Sequence, residues 1–166
     1  MINIDKLKTF LKNSSSHTYA GDGKEIAPQR PGFTELEYQE GEWYLRDSYT
    51  GHFQAPGMTT VYFKEKPVWT CAYGGKVIKN FYPQTKEIFT FLKKALKRKG
   101  LKKAGDIPVR GPSEMIEDKW KYIFDFEGDM RCFYGKEKIF IKNELCFFQD
   151  VIGGLVIPKK YKAYGS

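Results

Sequence analysis

The sequence predicts an α+β fold made of a tandem repeat, in which each copy is a helix followed by an antiparallel meander of three to four strands. Two observations predict it: a set of residues recurs at matching spacing in both halves of the chain, and a helical apolar stripe precedes each set. The recurring positions pair as Trp43 with Trp120, Gly51 with Gly128, Gly57 with Gly135, Lys64 with Lys142, and Gly74-Gly75 with Gly153-Gly154. Recurring glycines indicate shared turns in repeated structure. We therefore expect a single domain over 1–166, built of two repeats at about 6–80 and 87–157 around a pseudo-two-fold axis.

The first copy is expected to begin with an amphipathic helix from Ile4 to about Asn13, because its apolar residues fall on one stripe at helical spacing. A loop rich in glycine and proline follows, from His17 to about Gly32. Alternating or β-branched runs then predict strands at Phe33–Glu40, Glu42–Tyr49, Thr59–Lys64 and Lys66–Tyr73, with one further strand at Lys76–Tyr82.

The second copy repeats this order. After Pro83 an apolar stripe predicts a helix that ends near Gly100, a plausible capping glycine, and a loop over Leu101–Pro112 follows. Three strands are predicted at Lys119–Phe126, Lys138–Lys142 and Leu145–Val151, and a peripheral tail at Ile157–Ser166.

Composition indicates a globular protein, with 41% hydrophobic and 16% aromatic residues among 166. The chain has no apolar run of about 18 residues, and its charged N-terminus lacks the apolar core of a signal peptide. Three widely spaced cysteines predict free thiols in a reducing cytoplasm. Two histidines and the lack of a Cys-x-x-Cys motif argue against zinc, so neither a metal nor a cofactor is predicted.

The net charge of +8 is concentrated in the segment Lys86–Lys103, which carries eight basic residues and one acidic residue. Such a patch could contact a polyanion such as nucleic acid through Lys93, Lys94, Lys97 and Arg98. It is more typical of the solvated outer face of an amphipathic helix.

The two copies differ most at Asp47. One face of the second copy's first strand reads Trp120, Tyr122, Phe124, Phe126, whereas the matching face of the first copy reads Trp43, Leu45, Asp47, Tyr49. A carboxylate on an aromatic face is costly unless it is paired or hydrogen-bonded. We interpret it as binding a cationic or hydroxyl-bearing ligand in a groove lined by Trp43, Asp47, Tyr49, Trp69 and Tyr73. The alternatives are that Asp47 pairs with a nearby arginine such as Arg30 or caps a turn, and that Trp69 and Tyr73 are core residues.

Catalysis has only a weak signal in the sequence. His52 follows Gly51 in a turn and could serve as a general base if a carboxylate oriented it. The chain has neither a Gly-x-Ser-x-Gly nucleophile elbow nor a phosphate-binding glycine loop, so whether it is an enzyme stays open.

The run TYAGDGKE…APQRPGFTELEYQEGEWYLRDSYTG, followed by KPVWTCAYGG and RGP…WKYIFDFEGD, resembles an uncharacterised prokaryotic domain family often fused to Xre-type helix-turn-helix regulators. The resemblance implies a regulatory, effector-binding role. At the level of architecture it is similar to gyrase-inhibitor-like effector-binding domains, which bind amphipathic and often cationic molecules between two repeats.

The predicted function is therefore a cytoplasmic small-molecule binding domain with an aromatic, acidic groove. A small hydrolase that uses Asp47 or His52 is one alternative, and a nucleic-acid or protein interaction module that uses the basic helix is another. No membrane partner is expected, and the sequence predicts no oligomeric state.

Overall fold

The structure is a computed structural model that describes residues 2–21, 23–97, 107 and 110–159. The described residues form two α-helices, α1 (Ile4–Ser14) and α2 (Thr85–Lys97), and two 3₁₀ helices at Tyr19–Gly21 and Lys79–Gln84. They also form nine strands: β1 (Glu25–Ile26), β2 (Thr34–Glu40), β3 (Trp43–Tyr49), β4 (Gly57–Phe63), β5 (Lys66–Val77), β6 (Glu114–Glu117), β7 (Trp120–Asp129), β8 (Cys132–Ile141) and β9 (Glu144–Leu155).

Within the described part of the chain, all nine strands join one sheet in the order β1-β2-β3-β4-β5-β9-β8-β7-β6. Every neighbouring pair is antiparallel. The strands of the two chain halves meet where β5 pairs with β9, from Trp69 opposite Leu155 to Val77 opposite Phe147.

The prediction of a tandem repeat of helix plus meander is wrong. The two halves do not form modules with separate cores, because hydrogen bonding runs without a break through the β5–β9 pair. The helices are not divided between the halves either. Phe89 of α2 packs edge-on against Phe147, Phe91 of the same helix stacks on Trp120, and α2 also contacts the 3₁₀ helix that follows α1. The recurring residues reflect similar hairpins within one sheet.

Both helices cover the same face of the sheet, which we call the inner face and which carries Leu45, Val61, Trp69 and Ile139. Apolar side chains at helical spacing on α1 and α2 meet these strand residues in one buried cluster, because burying both apolar surfaces removes them from water. The helix residues in this cluster are Leu7, Phe10, Leu11, Ile88, Phe91, Leu92, Ala95 and Leu96.

The helix predictions are confirmed where the structure describes them. Helix α1 begins after Asn3, whose side chain accepts a 3.0 Å hydrogen bond from the backbone N–H of Lys6 as an N-terminal cap. The predicted end of the second helix near Gly100, most of the loop Leu101–Pro112, and the tail beyond residue 159 lie outside the described residues.

Several strand predictions need correction. The expected strand Lys76–Tyr82 is wrong, since β5 ends at Val77 and a 3₁₀ helix containing Pro83 follows. Strand β8 begins at Cys132 rather than Lys138, and β6 was not predicted. The first loop contains a 3₁₀ helix and the short strand β1.

The opposite face of the sheet carries polar side chains together with the exposed Met58, Tyr134 and Ile152. Arg46 donates to Glu35 there through Nε at 2.7 Å, and Ser48 donates to the other oxygen of the same carboxylate at 2.9 Å. All three cysteines are free thiols. Among the described helices, none has the length and apolar character needed to cross a membrane.

Candidate ligand-binding site

Asp47 lies on the inner face, in the middle of a buried polar group. Alternation along β3 points Leu45, Asp47 and Tyr49 to the same side of the sheet, and Asp47 is directly opposite Thr59 of β4. The hydroxyl of Thr59 donates to Oδ1 of Asp47 at 2.8 Å, and the hydroxyl of Tyr73 donates to the same oxygen at 3.0 Å. The carboxylate is only 5% exposed, so these bonds provide much of the stabilisation that water would otherwise give.

The expected alternative partner of Asp47 is engaged elsewhere. Arg30 donates to Oγ of Ser48 at 2.7 Å and lies 3.9 Å from the ring centroid of Phe33. The arginine that acts on Asp47 is Arg110, through its charge.

Arg110 connects Asp47 to a second buried carboxylate, Glu137. Its Nη1 lies 3.1 Å from Oε2 of Glu137, and its guanidinium carbon lies 5.4 Å from the ring centroid of Tyr73. Glu137 is fully buried, and it also accepts hydrogen bonds from the hydroxyl of Tyr122 and from Nε2 of Gln149. Because side chains alternate along a strand, Glu137 of β8 and Gln149 of β9 both point to the inner face.

Burial dominates the electrostatics of this group. Loss of water around the carboxylate raises the pKa of Asp47 above its ordinary value, and the Thr59 and Tyr73 hydrogen bonds and the charge of Arg110 only partly offset the increase. Burial also raises the pKa of Tyr73 well above its usual range, and the negative charge of Asp47 adds to the increase. Burial alone would lower the pKa of Arg110, but the combined effects of Glu137, Cys71, Tyr122 and Tyr73 outweigh it and the net shift is upward.

A cavity of about 180 Å³ lies between the inner face and the two helices. Its polar wall includes Asp47, Thr59, Arg110 and Gln149, and exposed His52 and Phe53 stand at its mouth. The remaining wall is mostly apolar or aromatic and includes Tyr19, Leu45, Tyr49, Tyr73, Phe89, Leu92 and Phe147. The cavity can hold a ring-sized molecule with a polar group directed at the sheet.

Three of the five residues predicted to line the groove do line this cavity: Asp47, Tyr49 and Tyr73. Trp43 lies to the side and stacks on Phe10 at 5.5 Å. Trp69 is fully buried in the core, where its Nε1 donates to the carbonyl of Met130 at 3.0 Å. Trp69 is therefore a core residue, which was the alternative interpretation of this position in the sequence.

The groups predicted for other activities are placed differently. The ring of His52 contacts the rings of Phe53 and Phe89, and no side chain in the described ranges hydrogen-bonds to it. Lys94 pairs with Glu117, and Nζ of Lys93 lies 5.0 Å from the ring centroid of Tyr19. Lys97 ends α2 and is exposed, whereas Arg98 lies outside the described residues. No three His, Cys, Asp or Glu side chains in the described ranges are grouped so as to hold a metal ion.

Sequence reasoning did not identify Arg110, Glu137 or Gln149 as site residues. For Gln149 and Glu137, the alternation of polar and apolar residues in the sequence did indicate a buried polar side chain. Gln149 alternates with Phe147 and Val151, which marks a polar side chain on a buried strand face. Glu137 alternates in the same way with Phe133 and Ile139, but the signal was lost because the strand was predicted to begin after it. Arg110 lies in a loop, where no periodic pattern predicts the direction in which a side chain points.

Comparison with known proteins gives one match. A family model described as a domain of unknown function (DUF5680) matches residues 47–156, a range that begins at Asp47 and also contains Tyr73, Arg110, Glu137 and Gln149. No curated protein and no solved structure matches the chain. The family description names neither a DNA-binding domain nor an effector-binding relative, so that expectation from the sequence stays a prediction.

Proposed function

This chain belongs to the DUF5680 family, whose description assigns no activity, and we propose from the geometry of its cavity that it binds a small cationic molecule, with the cation held against Asp47. The observation that carries the proposal is a buried carboxylate, with two neutral hydroxyl donors, in the wall of a largely aromatic cavity. Following the resemblance in the sequence, we propose that the bound molecule is a regulatory effector.

The charges around the cavity support a cationic ligand. Among the described residues around the cavity, two buried carboxylates, those of Asp47 and Glu137, accompany the buried guanidinium of Arg110. Arg110 forms its ion pair with Glu137, whereas Asp47 accepts hydrogen bonds from hydroxyl groups. An ionised carboxylate away from water is stabilised by an opposite charge at short range, which an entering ammonium group supplies.

The size and walls of the cavity support a ligand with a flat apolar body. A cavity of about 150 Å³ lined by apolar side chains can hold a benzene molecule, and this one is about 180 Å³. The faces of aromatic rings attract cations with about 0.5–2 kcal/mol, and Tyr19, Tyr49 and Tyr73 all line the cavity. A protonated arylalkylamine fits both the charge and the shape.

The test is a calorimetric titration with phenethylamine, which measures the affinity of the native chain and of Asp47→Asn. Asparagine keeps the oxygen that accepts from Thr59 and Tyr73 but removes the charge, so we expect the affinity to fall at least tenfold, which corresponds to about 1.4 kcal/mol. Asp125→Asn is the matched control, because Asp125 is exposed on the opposite face. Equal affinity for native protein and Asp47→Asn, or no binding to the native protein, would contradict the proposal.

The hydrolase and interaction-module alternatives have less support. A catalytic histidine is typically oriented by a hydrogen bond to a third group, whereas His52 makes ring contacts without such a bond in the described ranges. Of the residues predicted for a polyanion site, Lys94 pairs with Glu117 and Lys93 lies beside the ring of Tyr19. Both alternatives stay predictions.

A further inference from the structure

Gln149 presents a hydrogen-bond acceptor to the cavity. Its Nε2 donates to the carboxylate of Glu137, and this fixes the orientation of the amide because a carboxylate accepts and does not donate. No residue in the described ranges donates to its Oε1. The side chain lines the cavity although the residue is only 6% exposed, and every fully enclosed polar atom of the described side chains has a partner. Oε1 therefore faces the space that a ligand would fill.

The amide of Gln149 is held in place from behind. Its partner Glu137 is itself fixed by Tyr122 and by the Arg110 ion pair. Close packing with Gly75 adds to this, since a Cβ on Gly75 would lie 2.5 Å from Cβ of Gln149. A buried acceptor that is oriented in advance and has no partner favours a ligand that brings a donor.

Asp47 and Gln149 line different ends of the cavity. They lie on β3 and β9, which are separated by β4 and β5 in the sheet. Three strand spacings of about 4.8 Å separate their backbones by roughly 14 Å across the strands. The two residues are also offset along the strands, because Asp47 is level with Cys71 of β5 whereas Gln149 is opposite Gly75. Since neither side chain spans such a distance, one amine nitrogen cannot contact both. The aromatic walls, among them Tyr73 and Phe147, belong to the same cavity.

We infer that the ligand is an aromatic amine with a hydroxyl or N–H donor at the end opposite its ammonium group, so that Asp47 binds the ammonium, the aromatic walls hold the ring, and Oε1 of Gln149 accepts from the distal donor. This inference rests on the proposed function, and it adds a second polar contact that determines specificity. A plain arylalkylamine satisfies only the first contact and leaves the Gln149 carbonyl without a partner.

The experiment compares three ligands on the native protein: phenethylamine, tyramine and 4-methoxyphenethylamine. Tyramine adds a para hydroxyl, and the methoxy compound keeps its oxygen but has no donor. We expect tyramine to bind about tenfold more tightly than phenethylamine, because it makes one further buried hydrogen bond. We expect the methoxy compound to lose this gain.

The variant Gln149→Met should abolish the preference for tyramine, measured as the ratio of the tyramine and phenethylamine affinities within the variant. Gln39→Met, at an exposed position of β2, is the matched control and should keep the preference. If Gln149→Met does not fold, the comparison of tyramine with the methoxy compound on the native protein decides alone.

The outcomes separate the two proposals. Binding of phenethylamine that depends on Asp47, with no gain from the hydroxyl, overturns the Gln149 inference and leaves the proposed function standing. A gain that persists in Gln149→Met also overturns the inference. No binding of any of the three amines overturns both.

Discussion

Tyr73 of β5 reaches across β4 to donate a 3.0 Å hydrogen bond to Asp47 of β3. Gly57 of β4 lies between Tyr49 and Tyr73 in the sheet, and the Tyr73 ring passes over it to reach Asp47. The ring can cross the strand because Gly57 has no side chain. The Tyr73–Asp47 contact, and with it one wall of the cavity, therefore depends on a position that carries no functional group.

Replacement of Gly57 by alanine should disrupt this contact. A Cβ at this position would lie 2.6 Å from Cζ and Oη of Tyr73 and 2.6 Å from Cβ of Tyr49. We expect a loss of about 1–3 kcal/mol in the free energy of unfolding, because overpacking forces side chains out of their preferred positions, and a weaker affinity for cationic ligands. Urea denaturation and calorimetry measure the two effects.

Gly74→Ala is the control for that variant, since a Cβ there would meet only Pro56, at 3.6 Å. We expect its free energy of unfolding to stay within about 0.5 kcal/mol of the native value. Equal stability of Gly57→Ala and Gly74→Ala would show that the ring of Tyr73 does not need the space above Gly57.

The ionisation of Asp47 should make the protein less stable as the pH rises. Because burial raises the pKa of Asp47 in the folded state, the folded protein holds this proton more tightly than the unfolded chain does. Stability then falls as the pH rises from the ordinary aspartate pKa of about 3.9 through the raised value. Asp47→Asn cannot ionise, so its stability relative to the native protein should increase over this range. Urea denaturation at a series of pH values that starts below the ordinary aspartate pKa of about 3.9 measures the difference and also covers the control below.

Asp129→Asn provides a control of opposite sign. A hydrogen bond from the backbone of Arg131 is the main cause that lowers the pKa of Asp129, so this carboxylate stabilises the folded state once it is ionised. Relative to the native protein, Asp129→Asn should become less stable as the pH rises through the lowered value toward the ordinary one. If the two variants show the same trend with pH, the assignment of the Asp47 shift to burial is wrong.

Removal of the Arg110 guanidinium should be strongly destabilising. Arg110→Met leaves the fully buried carboxylate of Glu137 with two neutral donors, from Tyr122 and Gln149. Breaking a buried ion pair from one side typically costs about 3–5 kcal/mol. Adding Glu137→Gln to Arg110→Met should recover part of that loss, and a double-mutant cycle in urea measures the coupling.

The exposed pair of Lys136 and Asp150, at 2.8 Å, is the comparison for this cycle. Lys136→Met should cost less than about 1 kcal/mol, because water screens exposed charges. A similarly small cost for Arg110→Met would mean that Glu137 can be protonated or hydrated without its partner.

The helices were predictable because each has a continuous apolar stripe at helical spacing, as in Leu7, Phe10 and Leu11. The inward direction of Asp47 was predictable for a similar reason, since alternation along β3 is regular. Strand β6 escaped prediction because its four residues are too few to establish a period. Lys76–Tyr82 was misassigned because a 3₁₀ helix can contain the aromatic residues that also favour strands.

The recurrence of glycines in the two halves was a real pattern with a misleading interpretation. Gly51 has a positive φ of 90°, which a turn can require, whereas Gly57 is inside a strand, where a ring passes over it. Similar hairpins in one sheet produce the same spacing as duplicated modules. Which strands of the two halves pair, and hence that β5 joins β9, depends on contacts between distant residues that no local period records.

The position of β9 beside β5 also has a consequence for how the chain folds. Val77 finds its partner Phe147 only about seventy residues later, and at about 5–20 residues per second that interval takes on the order of 10 s of synthesis. During this time one long edge of the β2–β5 sheet would lack its neighbour, and unpaired strand edges promote association between chains. We expect the nascent chain to be most prone to aggregation before Leu155 emerges, and completion of the sheet to be a late, slow step governed by long-range contacts.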